Sequence, residues 1–256
     1  MIFDTHSHYS DNRFDPDRQA LLSGMRDKGV GRIVEVGAGI ASTGDAVALS
    51  HEYDFIYAAV GIHPGEVQDL EESHMNWLRE LTQDRRVVAV GEIGLDYHYD
   101  SPSREIQKQW FIRQLQMAAE TEMPVIIHSR DAAQDTWEIM QEHCDWENGG
   151  VIHCFSYSWE TAKQYLEQGF FLGIGGVVTF DNARKLKEVV QMAPLEQLVL
   201  ETDCPYLTPV PHRGKRNDSG YLPHVVDAVA ALKEVSPEEV MAVTEQNAER
   251  LYRLSR

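Results

Sequence analysis

The chain has few cysteines, and their spacing argues against two common uses of the residue. Among 256 residues there are three, Cys144, Cys154 and Cys204, and no two of them lie in a CxxC or similar spacing. An odd, sparse set provides neither a disulfide framework nor a thiolate zinc motif. We therefore expect all three cysteines to be buried, apolar thiols.

The sequence also lacks a recognisable targeting or membrane-spanning segment. The first ten residues, MIFDTHSHYS, contain neither the basic region nor the apolar region of a signal peptide. The most apolar stretch, residues 169–180, is too short to cross a bilayer and contains four glycines. These features predict a soluble, cytoplasmic protein with no membrane association.

Positive charge is scarce. There are 23 Lys and Arg residues against 41 Asp and Glu, which gives a formal net charge of −18 at pH 7. Broad, sequence-independent adhesion to duplex DNA or to an anionic membrane requires a basic face. Any nucleic-acid role must therefore rest on a local site. The composition is otherwise globular, and a chain of this length buries a large core.

Short β-branched runs alternate with longer amphipathic stretches along the chain. Eight runs are predicted to be buried parallel strands, since each is apolar and bounded by Gly, Pro, Asp or His. These runs are Ile2–Thr5, Arg32–Val36, Phe55–Val60, Val87–Ile93, Val125–His128, Val151–His153, Phe170–Ile174 and Leu198–Thr202. Helical spacing of apolar residues predicts helices at Pro16–Lys28, Ser73–Leu81, Arg104–Glu122, Asp131–His143, Trp159–Gln168, Asn182–Met192, Tyr221–Glu234 and Val240–Leu254.

Strands followed by helices predict a (β/α)8 TIM barrel that forms a single domain over residues 1–256. An additional C-terminal helix is indicated by Ser236 as N-cap, Pro237 at the first position and two acids in the first turn. The alternative is an open doubly wound sheet, which usually carries GxGxxG after an early strand. The segment Gly37-Ala38-Gly39 lacks the third glycine, so this alternative is weak.

Six predicted strands end in imidazoles or carboxylates. In a (β/α)8 barrel the C-terminal ends of all strands converge on one rim, where active sites lie. Convergence of so many polar groups favours a metal site, because burying them without a metal would cost free energy. The side chains expected on this rim are His6, His8, His63, Glu92, His128, His153 and Asp203.

His6 and His8 lie two residues apart on a strand, so their side chains point the same way. Two neutral imidazoles on one face suit a divalent transition metal. An HxH pair alone is equally compatible with a solvated or packed pair of histidines. The full donor set exceeds the three protein ligands of one catalytic tetrahedral site.

We therefore predict two divalent metal ions (Mg, Mn or Zn) that share a carboxylate. The predicted ligands are His6, His8 and Asp203 for one ion and His128 and His153 for the other, with Glu92 as the bridge. Glu92 and Asp203 are the predicted catalytic carboxylates, Asp203 by orienting the attacking water. His63 has no metal vacancy to fill and is assigned to substrate binding.

One short segment concentrates positive charge. There is no Lys or Arg from Ile33 to Leu78, whereas Arg213, Lys215 and Arg216 crowd the segment Pro211–Arg216, here called the basic loop. Such a run is usually a solvated surface. Beside a metal rim we favour a phosphate-binding loop led by Arg213, because Arg makes bidentate contacts with phosphate and glycine permits close approach.

Weaker candidates lie near other strand ends. Arg130 and Asn217 could also contact phosphate. Four aromatic residues could stack on bases, although packing explains each nearly as well. They are Tyr97, Tyr99, Phe155 and Tyr206.

The strand-end motifs resemble the signature blocks of the TatD-type metal-dependent deoxyribonucleases, in the same order and over essentially the whole chain. The matching blocks are Asp4-Thr5-His6-Ser7-His8, Gly61-Ile62-His63-Pro64, Gly91-Glu92-Ile93-Gly94-Leu95-Asp96, Ile127-His128-Ser129-Arg130, Ile152-His153-Cys154-Phe155 and Glu201-Thr202-Asp203-Cys204-Pro205-Tyr206-Leu207.

The resemblance implies a TIM barrel of the amidohydrolase superfamily with two divalent metals. It also implies hydrolysis of DNA phosphodiester bonds as a 3′–5′ exonuclease with a preference for single strands. The expected partners are DNA strand ends or short single-stranded segments, with no obligate protein partner. Two alternatives stay open: a hydrolase of a carboxylic ester, amide or D-aminoacyl-tRNA, and a non-catalytic metal-binding protein.

Overall fold

A computed structural model describes residues 1–99 and 101–254. Over these residues there are eight strands in one sheet, whose order follows the chain from β1 to β8. The strands are β1 Ile2–Ser7, β2 Val30–Val36, β3 Ile56–Val60, β4 Val87–Asp96, β5 Val125–Arg130, β6 Gly150–Ile152, β7 Phe171–Ile174 and β8 Leu198–Leu200.

A helix follows each strand, and one further helix ends the described chain. The helices are α1 Arg18–Ser23, α2 Ile40–Glu52, α3 Glu72–Leu81, α4 Arg104–Glu120, α5 Ala133–His143, α6 Trp159–Glu167, α7 Arg184–Met192, α8 Leu222–Lys233 and α9 Pro237–Leu251. Parallel strands in chain order, each followed by a helix, confirm the predicted (β/α)8 class, and α9 is the additional helix.

The chain divides into two compact units. The first consists of Met1–Glu35 and the chain from His153 onward, and the second is Val36–Ile152. The single domain over residues 1–256 stays a prediction.

In the first unit, the end of β1 is bonded to the segment that follows β8. The backbone N–H of Asp203 donates to the carbonyl of His6 over 2.9 Å, and that of His8 donates to the carbonyl of Cys204 over 2.9 Å. All six residues of β1 are buried. This pairing brings His6 and His8 beside Asp203, although they are almost 200 positions apart in sequence.

In the second unit, β4 and β5 pair along their length. All ten residues of β4 are buried, and Ile93 and Gly94 pair with Ile127 and His128. Gly94 has φ +144°, and a Cβ there would lie 1.9 Å from the carbonyl oxygen of His128. The register that places His128 near the polar residues of β4 therefore requires glycine at this position.

Two predicted strands extend past the C-terminal ends of the observed ones. Strand β6 ends at Ile152, so His153 lies just beyond it rather than at its last residue. Strand β8 ends at Leu200 rather than at Thr202, so Asp203 lies in the segment that follows it. Asp203 itself has φ +54°, outside the extended region.

Two helices differ from the prediction by more than a few end residues. Helix α2 was not predicted, because Ser42, Thr43 and Gly44 near its start weaken both helix propensity and apolar periodicity. The predicted helix Pro16–Lys28 is wrong in extent. It breaks at Gly24, whose N–H bonds to the carbonyls of Leu21 and Leu22, and a 3-10 turn follows.

The start of the C-terminal helix is confirmed. The Ser236 hydroxyl accepts a hydrogen bond from the N–H of Glu239 over 3.1 Å, as an N-cap does. The helix ends at Leu251 rather than at Leu254. Within the described chain, we find no helix with the length and apolar character needed to cross a membrane.

The cysteines only partly match the prediction. Cys204 is buried, whereas Cys144 and Cys154 are half-buried. Cys144 caps the C-terminus of α5 and Cys154 follows β6, and such connecting positions leave a side chain partly accessible.

Candidate metal centre

The first unit gathers imidazoles and carboxylates around the end of β1. We call this group the first cluster; its members are His6, His8, His153, Glu201 and Asp203. The Nε2 atoms of His6 and His8 lie 3.1 Å apart. The Oδ1 atom of Asp203 lies 3.4 Å from Nε2 of His8 and 3.9 Å from Nε2 of His6. Three ligand-type atoms thus face one another across a gap of a few ångströms.

His153 and Glu201 extend the first cluster. The rings of His153 and His6 are stacked, with centroids 4.0 Å apart and planes inclined by 12°. Nδ1 of His153 lies 3.8 Å from Oε1 of Glu201, and the same oxygen accepts a hydrogen bond from the N–H of Cys154. Glu201 is 1% exposed, so its carboxylate is part of the buried interior rather than the surface.

The second unit holds a separate group. We call it the second cluster; its members are His63, Glu92, Asp96 and His128. Oε1 of Glu92 lies 3.0 Å from Nδ1 of His128 and 3.4 Å from Nε2 of His63. The other ring nitrogen of His128, Nε2, lies 3.1 Å from Oδ2 of Asp96. His128 is therefore held between two carboxylates.

The first cluster lowers the pKa of Asp203, whereas the second cluster raises the pKa of His128. Burial by itself would raise the pKa of Asp203, but the hydrogen bond with His8 and the charges of the surrounding imidazoles hold that pKa below its usual value. Burial by itself would lower the pKa of His128, but hydrogen bonds to Asp96 and Glu92 raise it to about 9. Asp203 is thus a carboxylate at neutral pH, and His128 carries a proton when no metal is bound.

Two buried carboxylates, those of Asp4 and Glu35, accept hydrogen bonds from the chain segments around the first cluster. Asp4 accepts hydrogen bonds from the hydroxyls of Thr202 (2.7 Å) and Ser219 (2.6 Å), and burial raises the pKa of Asp4 to about 6. Glu35 accepts from the N–H groups of Tyr9 and Ser10, each over 2.7 Å. These contacts fix the chain on both sides of His6 and His8.

Sequence reasoning gave no role to several of these residues. Asp4, Asp96 and Glu201 stand inside the quoted motifs and could have been flagged as polar residues in apolar strands. Glu35 interrupts the apolar run of β2 in the same way. Their partners could not be inferred, because these are backbone and side-chain groups far away in sequence.

The residues present fit divalent metal ions. Imidazole nitrogens and carboxylate oxygens are the usual ligands of Zn²⁺ and related ions. Ligands bonded to one ion at about 2.1 Å lie about 3–4 Å from each other. Among the residues that the structure describes, three groups each bring one ligand atom per residue within 4.8 Å of one another: His6, His8 and Asp203; His6, His153 and Glu201; and His63, Glu92 and His128.

The structure brings together some of the predicted ligands. His6, His8 and Asp203 form one group, and His128 lies beside Glu92. His63, assigned to substrate binding, lies within the same group as Glu92 and His128. The predicted pairing of His128 with His153 and the bridging role of Glu92 join residues of different units and stay predictions.

The basic loop is anchored to the turn that carries Asp203. The buried amide of Asn217 donates to the carbonyls of Thr202 (3.0 Å) and Tyr206 (2.7 Å). Its amide group therefore has a structural role, and the weaker expectation that Asn217 contacts phosphate is wrong. Moving this end of the loop away from Asp203 would break both hydrogen bonds of Asn217.

The three basic side chains of the loop differ in charge pairing and in exposure. Arg216 forms two 2.7 Å contacts with Asp17 and is already neutralised. Arg213 and Lys215 are exposed, and the guanidinium of Arg213 lies 3.9 Å from the centroid of Phe180. The structure thus leaves Arg213 accessible, as a phosphate-contacting residue requires.

The four aromatic candidates for base stacking also differ in exposure. Phe155 is 2% exposed and belongs to the core, so the expectation that it stacks on bases is wrong. The hydroxyl of Tyr97 donates to Asp135 over 2.6 Å. Tyr99 and Tyr206 remain largely accessible, at 64% and 48%. Arg130 is exposed, with its guanidinium 5.9 Å from the Tyr99 ring centroid.

Comparison with known proteins places this geometry in a family. The sequence profile described as TatD related DNase matches residues 3–253. A Bacillus subtilis (strain 168) protein named uncharacterized metal-dependent hydrolase YabD is 44% identical over 255 residues, covering 100% of both chains. A Cronobacter sakazakii protein named 3′-5′ ssDNA/RNA exonuclease TatD is 32% identical, covering 98% of this chain and 97% of the relative.

A solved structure agrees. The crystal structure of YJJV, a TatD homologue from Escherichia coli K12, has a TM-score of 0.93 and 30% identity, covering 99% of this chain and 98% of that one. The chain therefore belongs to the TatD family of metal-dependent hydrolases.

Proposed function

We propose that this hydrolase is a deoxyribonuclease that removes nucleotides from the 3′ end of single-stranded DNA. Relatives named 3′-5′ ssDNA/RNA exonucleases support this choice of substrate. The observation that carries it is a cationic loop tied to a metal-ligand turn, since Arg213 and Lys215 lie exposed on a loop that Asn217 fastens beside Asp203. A neutral ester substrate would have no use for these cations.

The metal ligands follow from the donor sets. We assign His6, His8 and Asp203 to one divalent ion, and Glu92 and His128 to another. His153, which was predicted as a ligand, lies in the group of His6 and Glu201. Divalent ions bound there supply Lewis-acid charge that offsets the negative charge developing on the phosphoryl oxygens. His63 lies 3.4 Å from Glu92 and either completes the second set or contacts substrate.

The protein groups then have distinct tasks. Asp203, held as a carboxylate by its imidazole neighbours, accepts a hydrogen bond from the attacking water and orients it toward phosphorus. Arg213 donates to the non-bridging oxygens of the phosphodiester. Asp96 accepts from Nε2 of His128 and directs Nδ1 of the same ring toward Glu92.

The net charge of −18 restricts how substrate is held. A duplex presents phosphates along its whole length and requires a broad basic face. Two exposed cations on one loop suit a strand end or a short segment. We therefore expect weak, salt-sensitive binding of long DNA.

The test is a digestion assay with purified protein. Single strands labelled at the 5′ or the 3′ end, duplex DNA, an RNA strand and a carboxylic ester are each incubated with divalent metal, and again with excess chelator. We expect single-stranded DNA to shorten from its 3′ end in the presence of metal only. Cleavage of the ester with all nucleic acids intact would assign the protein to the small-molecule hydrolases.

A further inference from the structure

Tyr206 is an exposed aromatic residue located beside a ligand of the first cluster. Its N–H donates to the carbonyl of Asp203 over 2.9 Å, which closes a tight turn between the two residues. The Cα atoms at the ends of such a turn lie within about 7 Å of each other. Tyr206 still keeps 48% of its surface exposed. A large ring this near to Asp203 is accessible to a molecule that binds at the first cluster.

The backbone of Tyr206 is fixed. Its carbonyl accepts a hydrogen bond of 2.7 Å from the buried side-chain amide of Asn217. The same amide donates to the carbonyl of Thr202, just before Asp203, over 3.0 Å. One buried side chain thus holds both arms of the turn, and the ring is positioned before any substrate arrives.

Arg13 supports the ring from one side. Its guanidinium carbon lies 4.1 Å from the centroid of Tyr206, within the range of a cation–π contact. Asp11 holds this guanidinium in a bidentate pair, with distances of 2.9 Å and 2.8 Å. Because its charge is paired, Arg13 is suited to backing the ring rather than to binding phosphate. A supported ring with an exposed surface is a stacking platform.

We propose that Tyr206 stacks on a nucleobase of the single-stranded substrate, adjacent to the phosphodiester that is cleaved. The inference rests on the proposed deoxyribonuclease function and adds a base-contacting residue to it. Stacking is tolerant of sequence, because every base has a π-face. It also requires no cation, which suits a protein with a net charge of −18.

The test separates base contacts from phosphate contacts. Two strands of equal length are compared, one natural and one in which the three 3′-terminal nucleotides lack bases. Three variants are measured with each strand: Tyr206→Ala; Tyr206→Leu, which keeps apolar bulk; and Tyr206→Phe, which keeps the aromatic face. Thermal unfolding and bound metal are recorded for each protein.

We expect Tyr206→Ala and Tyr206→Leu to raise KM for the natural strand about tenfold and to leave KM for the strand without bases unchanged. Tyr206→Phe is expected to match the wild type with both strands, and kcat and metal content should change little. Equal effects on both strands, or no effect on either, would overturn the stacking role while the deoxyribonuclease function stands. Failure of the wild type to cleave either strand would overturn both.

Discussion

The two clusters bury their charged groups in opposite arrangements. In the first, the carboxylate of Asp203 lies among imidazoles, at 3.4 Å from His8 and 3.9 Å from His6. In the second, the imidazole of His128 lies between carboxylates, at 3.0 Å from Glu92 and 3.1 Å from Asp96. The hydrogen bonds and charges of these neighbours outweigh burial, and they leave an ionised carboxylate in one cluster and a protonated imidazole in the other.

The two clusters therefore differ in whether a ligand must lose a proton before it binds metal. A ligating imidazole must be neutral, so metal binding releases any proton that it carries. The surroundings of His128 raise its pKa to about 9, whereas the pKa of Asp203 is lowered and needs no proton release at neutral pH. The clusters also differ in their supporting carboxylates: Asp4 and Glu35 bond to the chain beside the first cluster, whereas Asp96 bonds directly to the His128 ring within the second.

The largest expected effect comes from removing one charged ligand from either cluster. Glu92→Gln and Asp203→Asn should each lower kcat on single-stranded DNA about a thousandfold or more, because several kcal/mol of charge stabilisation depend on the metal ligands. Circular dichroism and thermal unfolding should show an intact fold. A near-normal rate in either variant would remove that cluster from the reaction.

The next largest effect is a loss of stability when a glycine packed against a cluster residue is replaced by alanine. In Gly94→Ala, the new Cβ would lie 1.9 Å from a backbone oxygen of His128; in Gly173→Ala, it would lie 2.2 Å from the carboxylate of Glu201. We expect Gly94→Ala to reduce the free energy of unfolding by about 3 kcal/mol, and Gly173→Ala by less, because a side chain moves more easily than a strand. Urea unfolding measures both, and the reverse order would contradict this reasoning.

Asp96→Asn tests whether an outer carboxylate positions His128. We expect the metal affinity of the second cluster to fall about 10–100-fold, with the first cluster unaffected. Titration against a competing chelator measures this without any activity readout. The matched control is Asp131→Asn, since Asp131 is exposed, has φ +54° that Asn tolerates, and lies 3.6 Å from His98. Equal loss in both variants would deny Asp96 this role.

The smallest effect is expected in the basic loop. Arg213→Ala should raise KM for single-stranded DNA about tenfold and reduce the salt dependence of binding by about one phosphate contact. Metal content should not change. Arg216→Ala, which removes a side chain already paired with Asp17, should raise KM less. Wild-type affinity in Arg213→Ala would indicate a solvated loop.

Much of the fold could be predicted from the sequence, because buried parallel strands are continuous apolar runs that the chain repeats eight times. Helix α2 could not, since Ser42, Thr43 and Gly44 obscure its periodicity and tertiary packing stabilises it instead. The break at Gly24 in the predicted first helix was missed for a related reason, because apolar spacing continues through it.

For the candidate site, residue types at strand ends were enough to indicate ligands such as His6 and Asp203. The residues that hold these ligands in place were not predictable from the sequence. Asp4 bonds to Ser219 and Asn217 bonds to Thr202 through contacts that only the folded chain creates. Exposure was equally unpredictable from sequence: Phe155 and Tyr206 occupy similar strand-end positions, yet one is 2% and the other 48% exposed.

The central claim, that hydrolysis requires metal in both clusters, is tested most directly by a metal titration. Metal-free protein receives Mn²⁺ or Zn²⁺ in steps, while bound metal and the rate of single-stranded DNA hydrolysis are measured on the same samples. The account predicts that the rate follows the fraction of molecules carrying two ions and stays low while only one is bound. A full rate at one equivalent would contradict it.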